Sequence, residues 1–505
     1  MLMQFRLATS FASNGRRKLT MIPRHETASL IFVAFVLLLG GLWIPGEKSA
    51  WAQGGGKPPH IPDNATLRQK STTDYPSGIW RDDFASGVGA PPVQYIGSNR
   101  RCSLNDGAGD DGSQVRSADG KCWTARFPIG PRDVRIWGAS PGEMDSRAKI
   151  AAALSTGPIT GAGLGYGISG GLTLPDGADV SDIAFTQLSP GEETRTLFAK
   201  GGSSIMLRNV KVNMNAASNV GRVGKAAGIY LAGVAFPMLD KVEVYGGGIG
   251  FGIAVTDCAR AIAVDLYVHD LQWSAASDPG REQVFGISFI RCSNVSVINP
   301  RIRRLTGVIG GRPSRPYQTD GLGFGGVTNA TVVGGEIDSV GEGTDTAGSL
   351  LTSNLWIYGT VYRNIDSHAV KLGSIRDSGA IGVRCYDAGL DCGTTGANHT
   401  TPPGFGAAHI KFVDVQAYDT GSNGRWGNPT GFTLGYDGTP GVRPVDIQCI
   451  NCIAKDSKGR MKFGFLADPG TSFALINPFA SGYAQAPFHD NGRDAQLPTT
   501  STMGR

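Results

Sequence analysis

The sequence predicts an all-β fold: a right-handed parallel β-helix, a three-faced solenoid with an N-terminal capping helix. The first observation is a repeat. Glycine–apolar–any–apolar recurs at Gly228-Ile229-Tyr230-Leu231, Gly252-Ile253-Ala254-Val255, Gly286-Ile287-Ser288-Phe289 and Gly321-Leu322-Gly323-Phe324. The second is a matching apolar position in each repeat: sixteen residues past the glycine stand Val244, Val268, Ile302 and Ile337, all aliphatic. Starts at 345 and 369 extend the series, with Val361 and Cys385 at the same offset. Successive starts lie 24, 34, 35, 24 and 24 residues apart, so a coil takes 24 residues and two coils carry an insertion. The third is that Asn-Gly hairpin turns between alternating strands are nearly absent, which argues against a sandwich or propeller.

Composition agrees. The 505 residues include 74 glycines without the every-third spacing of collagen, which places them in turns and coil corners. Hydrophobic residues make up 40% of the chain, enough for a long core. A net charge of +5, spread along the chain, leaves no nucleic-acid footprint; it is compatible with an acidic ligand and equally explained by solubility.

The N-terminus carries an export signal. Arg16, Arg17, Lys18 and Arg24 precede an apolar run from Ala28 to Ile44, then Pro45, Gly46 and the small-x-small site Ala50-Trp51-Ala52. Residues 1–52 read as a signal peptide, and the protein is expected to be secreted or periplasmic; an uncleaved anchor is the alternative, because the run is near the lower limit for spanning. No later segment is apolar and long enough to cross a membrane. Residues 53–79 read as a flexible leader, 80–130 as a small module, 131–483 as the β-helix and 484–505 as a tail. All 8 cysteines lie in the exported part, where disulfides form. Cys102 with Cys122 is one expected pair. Cys258 and Cys292 each sit six residues past their glycine and become vertical neighbours, as a disulfide or a reduced core ladder. Cys449-Ile450-Asn451-Cys452 has no βαβ context, so neither redox nor zinc chemistry is expected there.

The entry to the solenoid reads as a strand over Asp133–Ala139, a helix over Asp145–Leu154 capped by Asp145 with Ile150, Ala151 and Leu154 on one face, and a strand with a turn over Gly171–Gly177. A strand ending in Gly-Ala, a helix and a Leu-Pro-x-Gly turn resemble the entry of the pectate-lyase-like β-helix superfamily. The helix has a physical task, because the open end of a solenoid exposes core and unpaired strand edge.

Stacking also selects polar residues. Just before successive starts stand Asp320, Thr344 with Asp345 beside it, and His368. Ladder neighbours lie about 5 Å apart and second neighbours about 10 Å, which meets the carboxylate spacings of retaining (about 5.5 Å) and inverting (about 6.5–9.5 Å) glycosidases. Both insertions, Leu271 to Gln283 and Gly307 to Thr319, fall beside this edge and bring Trp273, Arg281, Arg312, Arg315 and Tyr317, aromatic and guanidinium groups suited to sugars and their acidic substituents. Lys371 faces outward by alternation with Val370 and Leu372.

Gln318-Thr319-Asp320-Gly321, Gly343-Thr344-Asp345 and Ser367-His368-Ala369 resemble a degenerate form of the polygalacturonase-type glycoside hydrolases, which carry Asn-Thr-Asp, Asp-Asp and Gly-His-Gly on consecutive coils and then Arg-x-Lys. The resemblance implies Asp345 as general acid, Asp320 as the base that activates water, and His368 as a hydrogen-bonding support. The chain departs from the pattern: Gln318 replaces Asn, the second motif has one Asp, Ser367 and Ala369 flank the histidine, and no Arg-Ile-Lys comes after it. A structural role stands beside this one, since Asp-Gly is a common turn and His368 could bond a carbonyl. His269 and Asp270 read as solvent-facing turn residues. Asp387 and Asp391 could offer carboxylates to calcium, but no calcium motif is present, so neither metal nor cofactor is expected.

The expected partner is a polysaccharide, acidic in character, with neither nucleic acid nor, after signal cleavage, membrane. Three functions fit: a glycoside hydrolase, a polysaccharide lyase using Lys371 and the loop arginines against a uronate, and a non-catalytic adhesin or tailspike-like glycan binder. The oligomeric state is open, a trimer included.

Overall fold

The computed structural model describes residues 57–490 apart from 143–144, 190–194, 216–226, 248–249, 275–282, 309–317, 347, 398–405, 423–427 and 438–442, together with 493–495 and 502–504. The expected signal peptide, residues 1–52, lies outside the described residues. Among those described, no helix is long and apolar enough to cross a membrane.

The chain opens with a five-stranded sheet in the order His60–Ile61, Ile79–Arg81, Val93–Ser98, Cys122–Arg126, Gln114–Arg116; its first pair is parallel and the others antiparallel. Residues 57–79, expected as a flexible leader, therefore supply an edge strand and the helix Asn64–Arg68, whose Leu67 is buried beside Ile79, Tyr95 and Trp123. The polar composition of the segment conceals this, because Ile61, Leu67 and Ile79 suffice to anchor it. Arg81 is wholly buried; its guanidinium donates to Asn64 Oδ1 (2.8 Å), the Asp111 carbonyl (3.0 Å) and the Ile136 carbonyl (2.7 Å), tying the module to the solenoid entry.

At that entry the expected strand over Asp133–Ala139 is instead the short strand Arg132–Asp133 followed by a 3₁₀ turn, Val134–Trp137, capped by the Asp133 side chain and closed by Gly138 at φ 85°. The capping helix is Arg147–Leu154, begun by Ser146 rather than Asp145; the Asp145 carboxylate still accepts the Arg147 and Ser169 N–H groups. Ile150, Ala153 and Leu154 face the core, and Ala151 is exposed.

From Ile159 to Asp490 the chain winds as a parallel solenoid of three faces. One face holds Gly250–Thr256, Gln283–Ile290, Gln318–Gly325, Glu342–Asp345, His368–Leu372, Asp391–Ala397, Thr430–Asp437 and Phe463–Ala467, each paired in parallel with the next. The coils run on through Ala486–Asp490, inside the expected tail. Alternation puts Ile253, Ile287, Leu322 and Val370 in the core. The corner glycine is required by close approach: a Cβ on Gly321 would lie 2.6 Å from the Gly343 carbonyl oxygen, and one on Gly252 2.6 Å from that of Gly286.

The register corrects one repeat start. Asp320 pairs with Glu342, so the coil after Gly321 turns at Gly343 and not at 345, and Tyr362, not Val361, continues the ladder of Val268, Ile302 and Ile337. Thr344 fills a core position that the preceding coils give to Ile or Leu and the next to Val; its hydroxyl lies 2.7 Å from the Tyr362 phenol, wholly buried. That buried polar pair hides the apolar pattern.

All eight cysteines are paired: Cys102–Cys122, Cys258–Cys292, Cys385–Cys392 and Cys449–Cys452. Cys258 and Cys292 are the vertical neighbours their spacing predicts.

Candidate functional site

Two columns of side chains run along the face described above. The residue before each corner reads Phe251, Phe285, Asp320, Glu342, His368, Asp391. Three residues further along each strand stand Ala254, Ser288, Gly323, Asp345, Lys371, Thr394 and Thr433. In a straight strand, residues three apart point to opposite faces. Here the corner lies between them and brings both columns to the same side.

The result is a carboxylate cluster. Asp320, Glu342 and Asp345 each place an oxygen within 4.8 Å of the others, with Asp320 and Asp345 buried and Glu342 half-buried. Lys371 Nζ donates to both oxygens of Glu342 (3.0 and 2.9 Å) and lies 3.8 Å from Asp345 Oδ1. Burial works against the charge on Lys371, but the Asp345 and Glu342 carboxylates outweigh it and hold the ammonium well above the ordinary lysine value. The lysine is thus the counter-ion of the cluster.

His368 lies one coil further along. Its Nδ1 meets both oxygens of Asp391, at 3.0 and 3.1 Å. Asp391 Oδ2 also accepts from Thr433 Oγ1 (2.9 Å), whose oxygen lies 2.9 Å from the Thr430 hydroxyl. Burial disfavours protonation of His368, but Asp391 by charge and hydrogen bond, with Glu342 beyond it, raises its pKa overall. The two assemblies share one face: an acid cluster around a lysine, and an imidazole braced by a buried carboxylate.

The structure brings together Asp320, Asp345 and Lys371, with Asp345 opposite Gly323 rather than in the column of Asp320 where the repeat spacing put it, and adds Glu342, which that spacing does not single out. His368 stands in the same column but bonds Asp391, not the carboxylates before it. Trp273 belongs to the strand Tyr267–Ser274; its side chain and all of Arg281, Arg312, Arg315 and Tyr317 lie outside the described residues. Glu342 does carry a signal: Glu342-Gly343 repeats the Phe285-Gly286 and Asp320-Gly321 steps, and choosing Gly343 as the corner exposes it. Asp391 has none beyond its distance from His368, close to one coil length.

The other polar candidates are structural. Asp270, at φ 54°, binds Arg304 (2.5 and 2.8 Å), and His269 lies between Glu243 and Asp270. Asp387, weighed for calcium, holds Lys458 and Arg460.

No protein-family model matches the chain, and no curated protein matches it in sequence. Among solved structures it is similar to the enzymatically active domain of tailspike protein 2 from bacteriophage CBA120, with a TM-score of 0.51 and 13% identity over 91% of this chain and 64% of that one. It thus spans less than two thirds of that domain's length. Weaker likenesses include the tailspike-like glycan biofilm modifying enzyme WceF of Pantoea stewartii (TM-score 0.41, 12% identity, 65% of this chain and 48% of that one). Another is the A-module of a mannuronan C-5 epimerase from Azotobacter vinelandii (0.38, 15%, 72% and 99%). At such identities the likeness concerns fold. Stacked parallel coils and a helix at their open end give this chain a right-handed parallel β-helix fold.

Proposed function

We propose that the protein is an exported carbohydrate-active enzyme that hydrolyses a glycosidic bond of a polysaccharide at the Asp320, Glu342 and Asp345 cluster. The observation that carries this reading is the mutual approach of three carboxylates within 4.8 Å. Hydrolysis needs one carboxyl to protonate the leaving oxygen and another to activate water or attack. Asp345 is assigned as general acid and Asp320 as base. Glu342, gripped by Lys371 through both oxygens, takes the place of the aspartate that the second motif lacks. His368, braced by Asp391, supports the neighbouring coil.

The same geometry bears on the competing readings. A lyase needs a cation for the uronate carboxylate, and Lys371 is committed to Glu342 and Asp345. The acidic character expected of the polysaccharide rests on loop arginines outside the described residues. Three carboxylates around one lysine favour an uncharged sugar at the bond that breaks. The experiment is a screen of the mature protein on neutral and acidic polysaccharides, read for new reducing ends and for unsaturated products absorbing in the ultraviolet. Reducing ends alone support hydrolysis. Unsaturated products point to a lyase, and retention without cleavage to a glycan-binding protein.

A further inference from the structure

The face that follows the acid cluster along each coil is built from strands such as Ser293–Ile298, Thr328–Val333 and Ala408–Val413. Its inward side chains, Val297, Val332 and Phe412 among them, fill the core. On its outer side, seven successive register pairings carry an unbroken apolar column over eight coils, from Val264 through Ile298, Val333, Tyr358 and Ile381 to Ile476. Ile298, Val333 and Tyr358 are 42%, 45% and 37% exposed, so these rungs meet solvent and not the core. In the column beside it Trp356 lies over Gly379 of the next coil, where a Cβ would sit 3.0 Å from the ring. Lys411 is the one charge of that second column among the described residues. The coil repeat does not impose such a surface, because the next face turns Arg301, Arg303, Glu336 and Arg363 outward at corresponding rungs.

We propose that this face docks a second copy of the chain, the two copies meeting face to face about a two-fold axis. A contiguous exposed apolar surface marks an association site, and depletion of charge is the composition of the buried centre of a homodimer interface. Strands of six residues span about 20 Å and eight coils about 35 Å. The face therefore offers roughly 700 Å², close to the roughly 800 Å² per partner of a stable complex. Its rungs recur at the strand spacing of about 4.8 Å. A second solenoid of this chain reproduces that step by construction, whereas an α-helix, with a pitch of about 5.4 Å, drifts out of step over eight rungs. In a two-fold contact both copies contribute the same patch, and an uncharged column does so without opposing like charges. The acid cluster lies on a different face, so this docking is independent of the glycan-cleaving reading.

The test is sedimentation velocity with light scattering on the full-length mature protein, over about a hundred-fold range of concentration. Wild type is compared with the double variant Ile298→Lys, Val333→Lys and with Arg384→Glu, a control on the next face. Wild type has twice the mass of one chain, and Arg384→Glu keeps it. The double lysine variant has the mass of a single chain with the far-ultraviolet circular dichroism of wild type, its dimer Kd raised by at least about a hundred-fold. Because the lysines could disturb folding, the milder double variant Ile298→Thr, Val333→Thr, which keeps β-branched side chains, is measured as well. It folds and raises the Kd by roughly ten-fold. A wild type that stays monomeric at every concentration overturns the docking. So does an assembly larger than two, or a dimer whose Kd is unchanged in the threonine variant.

Discussion

Lys371 Nζ bonds both carboxylate oxygens of Glu342, at 3.0 and 2.9 Å, across the boundary between two coils. Neither residue lies opposite the other in the ladder; Lys371 pairs with Asp345. The diagonal contact is what makes three acids tolerable in one place. Lys371→Met leaves them without their counter-ion, and the expected cost is about 3 kcal/mol. Adding Glu342→Gln to it recovers part of the loss. Urea unfolding of the four members of this cycle measures it, and additive effects would show that the pair is not coupled.

Asp345→Asn keeps the shape of the side chain and removes the proton donor. Release of reducing ends falls by a factor of about 10² to 10⁴, with the unfolding midpoint near that of wild type. Asp320→Asn behaves alike. Full activity in either variant takes that residue out of the chemistry.

The His368–Asp391 contact gives stability a pH dependence of defined sign. The pKa of His368 is raised above its ordinary 6.5, with burial overcome by Asp391. The imidazolium therefore contributes fully below about 6.5 and is lost as pH rises through the raised value. Thermal unfolding of wild type between pH 5 and 9 falls on the alkaline side relative to His368→Gln, whose profile is flatter there. Parallel profiles for the two proteins would contradict the pairing.

Two glycines two residues apart differ in what an added side chain would meet. Gly321→Ala drives a Cβ toward the Gly343 carbonyl and destabilises by about 1–3 kcal/mol. Gly323→Ala makes only ordinary contacts and folds like wild type. Comparison of their urea midpoints checks the register directly.

In the buried pair of the next coil, Tyr362→Phe strands the Thr344 hydroxyl in the core, at a cost of about 1–3 kcal/mol. A denaturation midpoint equal to that of wild type would mean the hydroxyl has another partner.

The sequence is legible where its residues obey one rule. Gly228, Gly252, Gly286 and Gly321 are fixed by the same carbonyl approach, so their spacing reveals the coil, the Cys258–Cys292 contact and the ladder place of Asp320. The rule breaks where Thr344 replaces an aliphatic residue and finds Tyr362, a partner eighteen residues away. That exception displaces one start by two residues and hides Glu342, the acid that completes the cluster. Phe251 and Phe285 are legible as ladder members, but a stacked ring pair is a matter of side-chain direction, which spacing does not contain. The segment 57–79 is illegible from its own composition because its order comes from strand pairing with Ile79–Arg81.

The most direct measurement is a crystal structure of Asp345→Asn bound to an oligosaccharide from a polysaccharide that wild type retains. The expected result is a chain of sugars along the face of Phe285, Asp320 and His368. One glycosidic oxygen lies within hydrogen-bonding distance of the amide that replaces the Asp345 carboxylate, and its anomeric carbon faces Asp320. Sugars bound on another face, with the acid cluster and Lys371 closed on one another, would contradict a glycan-cleaving role for these residues.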